Sequence, residues 1–140
     1  MDNTERFIGL SDFFIGPGKT VLKKGEFIYE IILPLNEGKG VFYKMGQRDS
    51  LAISKVSMCI KYDNVYHIAL GAVYKTPMLA TKTMNFLNSN TLLNDEVINK
   101  ACDIIKKECS PIDDIRSTAK YRSEMVAYLL KKGLGYLKNT

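Results

Sequence analysis

The sequence predicts a single α+β domain in which a four-stranded antiparallel sheet is covered on one face by three C-terminal helices. Apolar residues alternate with polar ones within residues 27–75, and from Pro77 to residue 134 they recur at the helical period. Strands followed by helices, without alternation of the two, favour this architecture. A chain of 140 residues with 46% hydrophobic content is long enough to bury one core, so residues 1–140 are predicted to form one domain.

Residues 1–26 are predicted to form an irregular arm, because glycine and proline interrupt any regular pattern. Within the arm, Gly16-Pro17-Gly18-Lys19-Thr20 invites comparison with a phosphate-binding loop. That motif requires a glycine five positions before Gly18, where this chain has Phe13, and it requires a strand before it and a helix after it. The spacing therefore argues against nucleotide hydrolysis.

The four predicted strands occupy residues 27–33, 41–48, 56–62 and 65–70. The first is β-branched and aromatic and is closed by Pro34, residues 36–40 form the next turn, and Asp63-Asn64 supplies a tight hairpin. Gly71 follows the last strand, and a glycine at this place indicates a bulge or a close approach by another backbone or a ligand.

Three helices are predicted after the sheet. Thr76 and Pro77 are expected to open the first, Asn94 to cap the second, and Ser117 to cap the third, which Gly133 would end. The inward stripes are expected to be Ala80, Met84 and Leu87; Val97, Ala101, Ile104 and Ile105; and Tyr121, Met125, Tyr128 and Leu129.

A charged turn precedes the third helix. Asp113 and Asp114 lie close in sequence to Arg116 and Arg122, and a guanidinium suits a paired, hydrogen-bonded cluster with carboxylates. We interpret this cluster as a structural ionic clasp at the helix entry rather than as a binding site.

Composition excludes several function classes. The net charge of +5 comes from basic and acidic residues mixed along the chain, so it is weak support for an acidic partner. The three cysteines, Cys59, Cys102 and Cys109, lack C-x-x-C spacing, which argues against a zinc or iron–sulfur site and favours reduced, buried thiols in a cytosolic protein. No apolar run reaches the ~18 residues of a membrane span, and the N-terminus has no signal pattern, so we expect a cytoplasmic protein without membrane attachment.

Two further interpretations concern single residue types, histidine and tyrosine. His67, the only histidine, has no nucleophile near it in sequence, so a half-exposed strand histidine is expected rather than a catalytic triad. Four tyrosines with lysines nearby resemble the mixture that binds single-stranded nucleic acid, although tyrosine is equally ordinary on a sheet. They are Tyr43, Tyr62, Tyr66 and Tyr74, with Lys44, Lys61 and Lys75.

The order of motifs resembles the C-terminal domain of the FAD-binding, or medium, subunit of molybdenum hydroxylases, the family of xanthine dehydrogenase and carbon monoxide dehydrogenase. Each motif is weak alone, but together, in this order, they cover nearly the whole chain. They are Asp12-Phe13-Phe14-Ile15-Gly16-Pro17-Gly18-Lys19-Thr20; Gly25-Glu26-Phe27-Ile28 to Leu33-Pro34; Gln47-Arg48-Asp49-Ser50-Leu51-Ala52-Ile53-Ser54-Lys55-Val56; Ile68-Ala69-Leu70-Gly71-Ala72-Val73 with Thr76-Pro77; and Pro111-Ile112-Asp113-Asp114-Ile115-Arg116-Ser117 with Tyr121-Arg122.

The resemblance implies a domain that packs beside an N-terminal FAD-binding domain, with an iron–sulfur subunit and a molybdopterin subunit as further partners. In this family electrons pass from the molybdenum cofactor through iron–sulfur clusters to FAD and then to an acceptor such as a nicotinamide nucleotide. This chain would border only the flavin end, would not be active alone, and would share the FAD with the other domain. Nucleic acid and membrane are not expected partners.

The resemblance also implies which residues approach the flavin. The loop from Gly71 through Tyr74, Lys75 and Thr76 corresponds to the segment near the isoalloxazine ring, and Lys82 matches a lysine just beyond it in some members. A glycine there fits close backbone approach, and a lysine near the ring would favour the anionic reduced flavin. Some members carry an aspartate where this chain has Ala52, so the role of that carboxylate does not transfer.

Three alternatives remain open from the sequence. Lys75 and Lys82 could be ordinary solvated charges. The chain could be a stand-alone interaction module that kept the fold and lost the cofactor, or, on charge and tyrosines alone, a binder of single-stranded nucleic acid.

Overall fold

A computed structural model of the chain describes residues 5–35, 37–48 and 52–138. The turn residue Asn36 and residues 49–51 of the Gln47 to Val56 motif lie outside the described residues. The elements in chain order are α1 Leu10–Phe13, β1 Phe14–Gly16, β2 Lys19–Thr20, β3 Lys39–Met45, β4 Val56–Tyr62, β5 Tyr66–Gly71, β6 Met78–Leu79, α2 Thr81–Asn88, α3 Asp95–Glu108 and α4 Ala119–Lys138.

The main sheet has four antiparallel strands in the order β3-β4-β5-β6, which confirms the predicted fold class. The second, third and fourth predicted strands match β3, β4 and β5 to within three residues at either end. The β4–β5 hairpin turns at Asp63-Asn64 as predicted, with Asn64 at φ 75°, a left-handed conformation that asparagine tolerates well.

The first predicted strand is wrong. Residues 27–33 are extended and exposed and form no ladder with any strand of the described chain. The fourth strand of the sheet is instead β6, where Met78 pairs with Leu70 and Leu79 pairs with Ala69. A run of β-branched and aromatic residues needs a sheet edge to pair with, and no such edge in the described chain pairs with this run.

The start of the first predicted helix is also wrong, because β6 occupies its first residues. Helix α2 begins at Thr81 rather than at Pro77, and the Ala80 N-cap has no side-chain hydrogen bond of its own. The predicted inward residues are confirmed in part: Ala80 and Leu87 are buried and Met84 packs against the core.

The helices cover one face of the sheet. Helix α4 lies on β3 and β4, α2 lies on β5, and α3 packs against both helices. Asn94 caps α3 as predicted, accepting the Val97 N–H at 2.9 Å. The core between the layers combines residues of β4, β5 and the three helices: Val56, Met58, Ile60, Ile68, Leu70, Leu87, Ile98, Ala101, Ile105, Val126, Leu129, Leu130 and Leu134.

The predicted inward face of α4 is confirmed in part: Leu129 is buried and Met125 packs against the core. Tyr121 and Tyr128 are exposed, while Arg122, Val126 and Leu130 are buried on the inward side. A buried, ion-paired arginine is invisible to a hydrophobic pattern, so the predicted stripe is rotated around the helix.

The ends of α4 also differ from the prediction. Ser117 forms an isolated bridge with Asp114, so the helix starts later, at Ala119, and Thr118 Oγ1 caps it by accepting the Tyr121 N–H at 3.2 Å. Gly133 does not end the helix, which runs to Lys138. It provides close packing instead, since a Cβ there would lie 2.5 Å from Ile60 Cδ1 and 3.3 Å from Tyr43 Cε2.

The opposite face of the sheet is uncovered by the described elements. One direct cross-strand row runs over all four strands through Phe42, Cys59, Ala69 and Leu79, and all four residues are exposed. The expectation of buried thiols therefore fails for Cys59, whereas Cys102 is buried and Cys109 is half-buried. Burial raises the pKa of the Cys109 thiol to about 12, so this cysteine stays protonated at neutral pH.

Candidate functional site

The loop that carries most of the sequence-predicted site residues lies at one end of the main sheet. Met45 at the end of β3 pairs with Val56 at the start of β4, and Ser57 pairs with Gly71 at the end of β5. The segments that follow Met45 and Gly71 therefore leave the same end of the sheet, with β4 between them. We call this region, made of residues 44–48, Ala52 and residues 71–76, the sheet-end surface.

Residues 71–76 are held firmly at their base. Ala72 adopts φ 64°, the left-handed region that disfavours a side chain, and its carbonyl accepts a hydrogen bond from Arg122 Nη1 at 2.8 Å. Val73 is buried in the core, and its carbonyl accepts the Ser110 N–H at 3.1 Å. Gly71 pairs regularly rather than forming a bulge, and a Cβ there would lie 2.5 Å from Ser57 Oγ.

The predicted ionic clasp exists and supports this loop. Asp114 Oδ2 pairs with Arg122 Nη2 at 2.6 Å and with Arg116 Nη2 at 2.9 Å, as predicted for one of the two aspartates. The Arg122 guanidinium, which is almost fully buried, together with the backbone N–H groups of Arg116 and Ser117, lowers the pKa of Asp114 to about 2. The clasp thus links the entry of α4 to the base of residues 71–76.

The tip of the loop faces outward. Tyr74 and Lys75 are exposed and Thr76 is half-buried, and Lys75 Nζ lies 5.8 Å from the centre of the Tyr74 ring. The structure thus brings Gly71, Tyr74, Lys75 and Thr76 into one loop with a rigid base and a solvent-facing tip.

Lys82 lies apart from that loop, on the first turn of α2 beyond β6. Its backbone N–H donates to Glu108 Oε1 at 2.8 Å, and Thr83 donates its N–H and hydroxyl to Glu108 Oε2 at 3.0 and 2.8 Å. The side chain of Glu108 therefore caps α2 from the end of α3, a long-range contact that no local pattern could indicate. The Lys82 residue itself is exposed.

The prediction of site residues missed a cleft at the same end of the sheet. Lys44, Met45, Gly46, Gln47, Arg48 and Ala52 line a shallow cavity of about 370 Å³. Gly46 lies close to Ala52, because an added Cβ at Gly46 would lie 2.7 Å from the Ala52 Cβ. The Gln47 to Val56 motif was the available signal, because it is a stretch of the family resemblance that lies between strands.

The helix N-termini give a second constraint on ligand binding. Glu108 occupies the first N–H groups of α2, Asn94 caps α3, and Thr118 with Asp113 caps α4. A free helix N-terminus is a common phosphate site. Here each helix of eight or more residues in the described chain is capped by a side chain of this chain, and for α2 and α4 the capping groups include a carboxylate. Within the described residues, the helix N-termini therefore offer no ready site for the pyrophosphate of a dinucleotide.

The tyrosines do not form a stacking platform for nucleic acid. Tyr43 pairs with Met58, and Tyr62 with Tyr66, on the helix-covered side of the sheet, and the Tyr62 and Tyr66 rings pack 4.7 Å apart. Bases stack on aromatic rings that share an open face, so this arrangement argues against the hypothesis that the chain binds single-stranded nucleic acid. His67 is half-exposed as predicted, and its Nε2 lies 3.0 Å from Asp63 Oδ1.

Comparison with known proteins gives three findings. Residues 41–137 match the model of the family described as the CO dehydrogenase flavoprotein C-terminal domain. Over 134 residues the chain is 28% identical to the glyceraldehyde dehydrogenase medium chain of Sulfolobus acidocaldarius, a match that covers 91% of this chain and 47% of that relative. The chain thus spans about half the length of the curated relative.

Solved structures with a similar fold include two oxidoreductases. The carbon monoxide dehydrogenase from Hydrogenophaga pseudoflava superposes with a TM-score of 0.76 at 21% identity, over 89% of this chain and 46% of that chain. Quinoline 2-oxidoreductase from Pseudomonas putida 86 gives a TM-score of 0.79 at 19% identity, over 88% and 45%. At these identities the likeness concerns the fold.

Proposed function

Because the chain belongs to the CO dehydrogenase flavoprotein C-terminal domain family, we propose that it forms the part of a molybdenum hydroxylase flavoprotein subunit that borders the flavin ring. A separate FAD-binding domain of the same subunit would hold the rest of the cofactor. The observation that carries this proposal is the sheet-end surface itself, which joins a rigid loop base, an exposed loop tip and a cleft lined by Lys44 and Arg48.

The capped helix N-termini support the division of labour between the two domains. With Glu108, Asn94 and Thr118 on the first N–H groups of the helices, the helix N-termini of the described chain have little to offer a pyrophosphate. A cleft of about 370 Å³ is near the lower limit of small-molecule pockets and is open to solvent, so it fits one edge of a large cofactor. FAD would therefore bind weakly or not at all to this chain alone.

The flavin supplies the redox chemistry when the complete subunit binds it. The contribution of this chain is electrostatic and steric. Lys75 and Lys82 carry positive charge that would favour the reduced, anionic ring, and residues 71–76 would exclude water from one side of it. An iron–sulfur subunit and a molybdopterin subunit would be the electron donors in the assembled enzyme, which we propose on the family relationship alone.

The test is reconstitution with the FAD-binding domain of the subunit, followed by measurement of flavin affinity and reduction potential. Lys75→Ala and Lys82→Ala are each expected to lower the potential, because each removes a positive charge near the reduced ring. Lys138→Ala is the matched control, since Lys138 lies with Tyr62 and Tyr66 at the opposite end of the sheet. Gly71→Val is unsuitable, because its Cβ would strike Ser57 Oγ within the chain itself.

Unchanged potential and affinity in both lysine variants, in a complex that otherwise assembles, would remove residues 75 and 82 from the flavin site. Failure of the parent chain to bind the FAD-binding domain would overturn the proposed function as a whole.

A further inference from the structure

The segment of residues 27–35, which we call the apolar arm, exposes more apolar surface than any other stretch of the described chain. Its seven large hydrophobic residues are each between 53% and 103% exposed; they are Phe27, Ile28, Tyr29, Ile31, Ile32, Leu33 and Leu35. Contiguous apolar surface of this kind on a folded protein marks an interaction site or an aggregation liability. The arm contributes no residue to the core.

The side chains of the arm have the period of a β-strand. In an extended chain, Phe27, Tyr29, Ile31, Leu33 and Leu35 share one side, and that side is wholly apolar. The other side carries Ile28 and Ile32 but also Glu30 and Pro34. This is the pattern of a strand that buries one face, with proline at its end where a backbone donor is dispensable. The arm is therefore built to pair with a sheet edge.

Side-chain contacts tie the start of the arm to the residues that precede it. At its start, Glu26 Oε2 pairs with Arg6 Nη2 at 2.6 Å and accepts the Lys23 N–H at 2.7 Å, while Arg6 also donates to the Val21 carbonyl at 2.8 Å. At its end the chain enters β3 at Lys39. The residues between this brace and β3 that the structure describes are extended, the conformation that strand pairing requires.

The comparisons indicate which partner the arm meets. The family domain begins at residue 41, after the arm, whereas the match to the longer medium chain covers 91% of this chain and so extends well into the residues before 41. The arm thus belongs to sequence shared with a chain about twice as long, and it lies outside the domain that the family defines. A partner within the same subunit accounts for both observations.

We propose that the apolar arm adds as a β-strand to a sheet edge of the FAD-binding domain, and so fastens the two domains of the flavoprotein subunit together. The inference rests on the proposed function, because it takes that domain as the partner. Main-chain hydrogen bonds would give the arm its place, and the apolar side of the strand would supply specificity.

The test combines assembly with backbone exchange. The chain and the FAD-binding domain, made as separate polypeptides, are mixed, and their Kd is measured by calorimetry for the parent and for Ile31→Asp. Ile31→Asp is expected to raise the Kd at least tenfold, because it places a charge on the face to be buried. Leu10→Asp is the matched control: Leu10 is 74% exposed but lies outside the arm, and its change should alter the Kd less than threefold. Both variants should keep the thermal midpoint of the parent, since neither residue lies in the core.

Hydrogen exchange gives the second measurement. The amides of residues 27–35 should exchange freely in the chain alone and become protected in the complex. Protection in the chain alone, through β3 or a second copy, would overturn the proposal, as would free exchange in the complex or an unchanged Kd for Ile31→Asp. A complex that forms and responds to Lys82→Ala but leaves the arm unprotected removes this inference and keeps the proposed function; a parent that does not assemble removes both.

Discussion

Arg122 concentrates several structural roles in one side chain. It pairs with Asp114, donates to the Ala72 carbonyl across 50 residues of sequence, and is only 4% exposed. Its position ties the entry of α4 to the loop that we place beside the flavin. A hydrophobic pattern would place the charged Arg122 side chain on the surface, yet this buried side chain holds the entry of α4 and residues 71–76 together.

Removing that side chain should be costly. We expect Arg122→Ala to lower the free energy of unfolding by about 3 kcal/mol, because it leaves Asp114 without its buried partner and the Ala72 carbonyl without its donor. Arg122→Lys should recover only part of this, since an ammonium cannot make both contacts with the same geometry. Arg116→Ala is the control, because its side chain is 40% exposed and should contribute less than about 1 kcal/mol. Urea denaturation measures all three, and an Arg122→Ala protein as stable as the parent would show that the clasp does not stabilise the fold.

Asp114 should make the free energy of unfolding depend on pH in the acidic range. Its pKa is lowered from 3.8 to about 2 in the folded chain, so its contribution is complete above about pH 4 and is lost as the pH falls through 2. Asp114→Asn should be less stable than the parent at neutral pH, and the difference should shrink between pH 4 and pH 2. Thermal unfolding across this range checks the sign; a constant difference between the two proteins would mean that the carboxylate charge is not what stabilises the clasp.

At the scale of the element, α4 depends on two glycines with opposite surroundings. Gly133 lies against Ile60, Tyr43 and Val41 of the sheet, whereas a Cβ at Gly135 would meet nothing within 4 Å. The two residues share a helix and nearly the same sequence position, so they form a natural pair for separating packing from helix propensity.

Gly133→Leu should destabilise the chain by about 2 kcal/mol, because the larger side chain forces α4 away from β3 and β4. Gly135→Ala should stabilise it by up to about 1 kcal/mol, since alanine is the better helix former and has room. Chemical denaturation of the two variants distinguishes the cases. Equal effects of the same sign would show that α4 does not pack as closely on the sheet as its geometry indicates.

For the whole molecule, the architecture was predictable where the pattern is local. A few consecutive residues were enough to predict the alternation in β4, the Asp63-Asn64 turn and the Asn94 cap. The structure confirms all three. Long-range partners were not predictable. Nothing local shows that Glu108 caps α2, or that Met78–Leu79 rather than residues 27–33 completes the sheet.

The same distinction applies to the candidate site. The family resemblance identified residues 71–76, and the structure shows them as one loop on a rigid base. The resemblance could not show that β6 separates Lys82 from this loop, or that the residues around Gly46 form a cleft. These facts depend on the order of the strands and on which strand ends share one end of the sheet, and both are set by long-range pairing.

The strand order has a consequence for the chain as it leaves the ribosome. Each strand of the main sheet pairs with the one made just before or after it, whereas α4, the cover of β3 and β4, is the last element. At about 5–20 residues per second, the stretch from Gly71 to Lys138 takes roughly 3–13 s to be made. During that interval a newly formed meander would leave Val56, Met58 and Ile60, which α4 later helps to cover, exposed to water, and transiently exposed apolar surface of this kind is prone to aggregation.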